Sequence, residues 1–99
     1  MTELLDKIAA LIDASNSDLE DVERTLTDGY AQALSLEGER WRAEKRLAEI
    51  ARGIHHGDSA RLAQELAALA KQLDRNDAEL RALRRRLSEL RKHADALRD

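Results

Sequence analysis

The residues best able to do chemistry lie in two places. His55 and His56 are adjacent, with Asp58 close behind, and imidazoles with a carboxylate are metal-ligating groups. Neighbouring histidines in a turn, with no third ligand held at a fixed spacing, do not make a coordination sphere. His93 is too far along the chain to complete one. These residues read as polar turn residues, and neither a metal nor any other cofactor is expected.

The second place is a run of cations: Arg81, Arg84, Arg85, Arg86, Arg91 and Lys92. Such a run can bind anions, nucleic-acid phosphates among them, by releasing counterions. It carries no interleaved aromatic residues, and the chain around it is acidic, with a formal net charge of -3. Residues 1–57 hold 7 basic and 12 acidic side chains, while residues 58–99 hold 10 and 8. Halves of opposite sign suggest segments that pair with one another. The run is therefore expected to face the acidic residues Asp18, Glu20, Asp21, Glu23 and Asp28. A small nucleic-acid-associated or regulatory protein is the competing class.

Nothing else resembles an active site. Ser15, Ser17, Ser35, Ser59 and Ser88 have no nucleophile context, there is no cysteine, and no glycine-rich phosphate loop occurs. A non-enzymatic protein is expected.

The elements that carry these residues read as helices throughout. Charged residues make up 37% of the chain, Pro and Phe are absent, and there is one Trp and one Tyr, a profile of long helices and coiled coils. Leu4, Leu5, Ile8, Leu11 and Ile12 recur at helical spacing and give residues 1–15 one broad apolar face, with Thr2 as N-cap. This short helix is the expected partner-docking element. Residues 16–99 read as a hairpin of two long helices, about 18–53 and 58–97, with Ser17 and Glu20 as a capping box and the turn at Gly53–Asp58. Either Gly53 or Gly57 is expected to take the left-handed conformation there.

The fold class follows from two ladders. In the last helix Leu62, Leu66, Leu69, Leu73, Asn76, Leu80, Leu83, Leu87, Leu90, Ala94 and Leu97 alternate spacings of four and three, a sustained coiled-coil seam. In the middle helix Leu19, Val22, Leu26, Gly29, Ala33, Leu36, Arg40, Ala43, Leu47, Ile50 and Ile54 repeat the spacing. Folded about the turn, the ladders meet rung for rung, with Leu26 facing Leu87 and Gly29 facing Leu83. The expectation is an all-α antiparallel coiled-coil hairpin with a short N-terminal helix, assembling into a helical bundle. Flanking charges pair Arg46 with Glu65, Glu23 with Arg91 and Asp18 with His93, whereas Glu37 beside Asp77 is a mismatch. Asn76 is a polar seam residue suited to fixing register, and Arg40 is expected to carry its head out to solvent.

One hairpin does not use every apolar residue. Tyr30, Leu34, Trp41 and Ala48 form a second stripe on the middle helix, and Ala60, Ala63, Ala67 and Ala70 form one on the same side of the last helix. The first helix, about 20 Å long, reaches Tyr30 and Leu34 if it folds back, but not Trp41 or the alanines. The stripe near the turn is a candidate interface with a second chain: a homo-oligomer, a dimer foremost, or a heterologous protein. Without a basic-then-apolar leader or a long apolar run, a cytoplasmic protein with no membrane contact is expected.

Overall fold

The computed structural model describes residues 1–14, 18–53 and 59–98. They form three helices: α1 (Thr2–Asp13), α2 (Leu19–Gly53) and α3 (Ser59–Arg98). The long helices α2 and α3 pack along each other as a hairpin, in a rod of 61 × 16 × 14 Å. No described helix is long and apolar enough to cross a membrane.

The helix ends differ slightly from the sequence reading. Met1, not Thr2, occupies the N-cap of α1, and its carbonyl accepts the Leu5 N–H at 3.1 Å. At the start of α2, Asp18 Oδ1 accepts the Glu20 N–H at 3.1 Å, so Asp18 is the cap. Its carboxylate also suits the positive end of the helix dipole. The Ser17 half of the expected capping box lies outside the described residues. Gly53 ends α2 without a left-handed backbone, and Ile54, His55, His56, Gly57 and Asp58 lie outside the described residues.

Helix α2 runs unbroken through Gly29 and Gly38. Thr25 and Thr27 return their hydroxyls to the Asp21 and Glu23 carbonyls, at 2.9 and 3.1 Å, so these poor helix formers are satisfied within the helix.

The core lies at the end of the rod away from the turn. Val22, Leu26, Ala33 and Leu36 of α2 meet Leu80, Leu83, Leu87, Leu90 and Ala94 of α3, and α1 closes the cluster with Ile8, which is fully buried. Met1, Leu4, Leu5, Leu11, Ile12 and Leu19 pack around it, half-buried. Toward the turn, α2 and α3 pack without α1 among the described residues. There Ala43 and Ile50 are buried, but Leu47, Leu62, Leu66, Leu69 and Leu73 stay half-buried.

Candidate functional site: the uncovered flank of the hairpin

A two-stranded seam leaves two flanks, one on each side of the contact line. Helix α1 occupies one of them: Leu5, Asp6 and Ala9 line a cleft with Ala82, Arg85, Arg86 and Glu89 of α3, and Lys7 reaches Asp21 of α2 at 3.9 Å. Thr25 on α2 is fully buried, and Ala82 on α3 sits in the cleft, so α1 can approach closely. The apolar residues of α1 are thereby spent on the chain's own hairpin.

The opposite flank is open. Tyr30 and Leu34 are on it, so α1 does not cover them as its reach had suggested: Tyr30 is 43% exposed and Leu34 69%. With Ala33, Leu87, Ser88 and Arg91 they line a groove of about 510 Å³, bounded by the Glu37–Arg84 ion pair. Further toward the turn Trp41 is 61% exposed, and the Lys45 ammonium stands 5.3 Å from its ring centroid. Ala48, Ala60, Ala63, Ala67 and Ala70 are all exposed. The helical phase of the two stripes puts them on this same flank.

Ion pairs across the hairpin depart from the expected partners. Arg46 does pair with Glu65, Nε to Oε1 at 2.6 Å, and the bond pulls the Glu65 carboxyl below its ordinary range and raises the Arg46 guanidinium. Glu23 is bound by Arg98 at 2.6 Å, not by Arg91, and Arg98 is raised by it. The Glu37–Asp77 mismatch is resolved: Glu37 takes Arg84, and Asp77 takes Arg40 at 3.0 Å. Arg40 also holds Glu44 at 3.1 Å, so its head lies at the rod surface, as its place in the seam requires.

The seam's polar residue, Asn76, is 5% exposed, and its amide nitrogen has no hydrogen-bond partner among the described residues. His93 likewise buries Nε2 without a partner, and the expected Asp18 contact is not formed.

The basic run does not act as one face. Arg84 and Arg86 are engaged by Glu37 and Glu89. Arg81, Arg85, Arg91 and Lys92 are exposed and make no ion pair among the described residues. The acidic start of α2 is met instead by Arg98, by Lys7 and, within the helix, by Arg24 on Glu20.

No group of three potential metal ligands occurs among the described residues. Comparison with protein-family models, with curated proteins and with solved structures found no match to this chain.

Proposed function

We propose that this chain is a non-enzymatic assembly module that presents the uncovered flank of its hairpin to another chain. One observation carries the reading: α1 covers one flank, while the other keeps Tyr30, Leu34 and Trp41 exposed beside a row of alanines. Scattered apolar residues are ordinary on a protein surface, but three large ones aligned on one flank form a contact surface. A Trp at such a site supplies a large, rigid apolar area and is the favoured type of interface anchor. The partner favoured is a second copy, giving a four-helix layer at the contact, with a heterologous protein as the other occupant. A cytoplasmic setting belongs to this reading.

The experiment is the solution mass of the wild type and of Trp41→Asp as a function of concentration. A wild-type dimer and a variant that remains monomeric support the proposal. If both chains are monomers throughout, self-association is refuted.

A further inference from the structure

We infer that the trough beside Tyr30 and Leu34 takes an acidic amphipathic helix of about four turns from a heterologous protein, laid along the hairpin opposite α1. This rests on the reading of the open flank as a contact surface and assigns its Tyr30 half; the Trp41 half stays with the second copy.

Three observations lead there. The first is shape. The groove of about 510 Å³ at Leu34 continues past Tyr30 into a second of about 480 Å³, and Tyr30 and Arg91 line both. Buried Leu26, Ala33 and Leu87 form the floor of this trough, and exposed Tyr30, Leu34 and Arg91 form its rim. The Glu37–Arg84 and Glu23–Arg98 ion pairs bound its two ends. Glu23 and Glu37 are fourteen positions apart, roughly 21 Å of helix, or four turns.

The second is the opposite flank. There α1 covers the same stretch of the seam, from Ala82 to Glu89. It is a 12-residue amphipathic helix, about 18 Å long, with Glu3, Asp6 and Asp13 set against a single Lys7. Its Asp6 shares a cleft with Arg85 and Arg86. The molecule itself thus displays the kind of helix that fits a flank of this seam at this level: apolar at three- and four-residue spacing, and acidic toward α3.

The third is charge. Arg91 lines the trough where the two grooves join, exposed and without an ion pair among the described residues. Arg81 and Lys92 on the same helix are likewise unengaged. Both carboxylates of the trough are taken, Glu37 by Arg84 and Glu23 by Arg98. A second copy's trough therefore brings no free acid to Arg91. Helix α1, the chain's own acidic amphipathic helix, is held by its own hairpin with Ile8 fully buried. The acid that Arg91 lacks comes from another protein.

The test is a display library of helices of roughly 14 residues, selected on the full chain. Apolar residues are fixed at three- and four-residue spacing, and the flanking positions vary among Glu, Lys, Gln and Ala. Helices rich in Glu beside the apolar stripe are expected to enrich. Their binding as purified peptides should fall about tenfold or more in Leu34→Asp. It should fall about threefold in Arg91→Glu, a loss that shrinks with added salt. Both residues are exposed, so both variants should keep the wild-type urea midpoint. Selection on Arg91→Glu should move the enrichment from Glu toward Lys. Enriched helices without an excess of Glu overturn the inference. So do helices that bind Leu34→Asp as tightly as the wild type, and so does a selection that enriches nothing. Solution mass separates that failure from failure of the flank reading. No helix bound, with a dimer that is lost in Leu34→Asp, gives the trough to a second copy and leaves the flank reading intact. No helix bound by a chain that stays monomeric overturns both.

Discussion

The isobutyl group of Leu87 lies directly over the backbone of Gly29, in the space that a Cβ would occupy. A methyl group at residue 29 would overlap Leu87 Cδ2 and meet its Cγ at 3.3 Å. Leu87 is 3% exposed and packs in the core cluster, so a methyl group at residue 29 has to displace it. Gly29 is thus a packing residue in the middle of a long helix, and its lower helix propensity is the cost of that contact.

Gly29→Ala should destabilise the chain. Overpacking costs about 1–3 kcal/mol, against about 1 kcal/mol recovered in helix propensity. Gly38→Ala is the control: its Cβ would meet only an Arg42 guanidinium nitrogen, at 3.4 Å. That change should stabilise by about 0.4–1 kcal/mol. Urea midpoints of the two variants should move in opposite directions.

The cross-hairpin contacts show what a ladder of letters conveys and what it does not. The seam was legible because leucine recurs at three and four without slip over α3, and α2 repeats the phase. The partner of each rung was less so. Gly29 was paired with Leu83 but lies under Leu87. Side chains in a helix lean toward its N-terminus, in opposite directions on antiparallel helices, which moves contacts along by a fraction of a heptad. The long arginine side chains reach a full heptad from the expected neighbours: Glu23 takes Arg98 and Glu37 takes Arg84. The flank chosen by α1 was not legible from its five apolar residues, which suit either side.

Ile8→Ala should cost about 2–5 kcal/mol, the range for truncating a fully buried aliphatic side chain. Leu34→Ala, on the open flank, should stay within about 0.5 kcal/mol. Thermal unfolding of the two variants checks the placement of α1: equal losses would contradict it.

Asn76→Leu removes a buried amide nitrogen that has no hydrogen-bond partner among the described residues. The variant should be at least as stable as the wild type, by up to about 3 kcal/mol. A fall in the urea midpoint would show that the amide is satisfied after all.

The Arg46–Glu65 bond gives a pH dependence with a definite sign. Arg46 lowers the Glu65 carboxyl in the folded chain. A depressed carboxyl contributes stability above its unfolded pKa and loses it as the pH falls through the folded value. The stability difference between wild type and Arg46→Gln should therefore be full at neutral pH and shrink through the acid side of the ordinary glutamate range. The pair is solvent-exposed, so the difference should also decrease with added salt. Urea titrations at stepped pH test both. A difference that grows with acid would reverse the assignment.

Every surface described above depends on α2 and α3 pairing within one chain. The direct measurement is the distance between spin labels at Ala31→Cys and Arg85→Cys, both exposed positions, with labelled chains diluted into unlabelled protein so that only intramolecular pairs are read. A rod 16 Å across predicts a single narrow distribution at roughly 20–30 Å, allowing for helices about 10 Å apart and the label arms. A distribution centred near 80 Å, the length of 54 residues of continuous helix at about 1.5 Å each, would contradict the account.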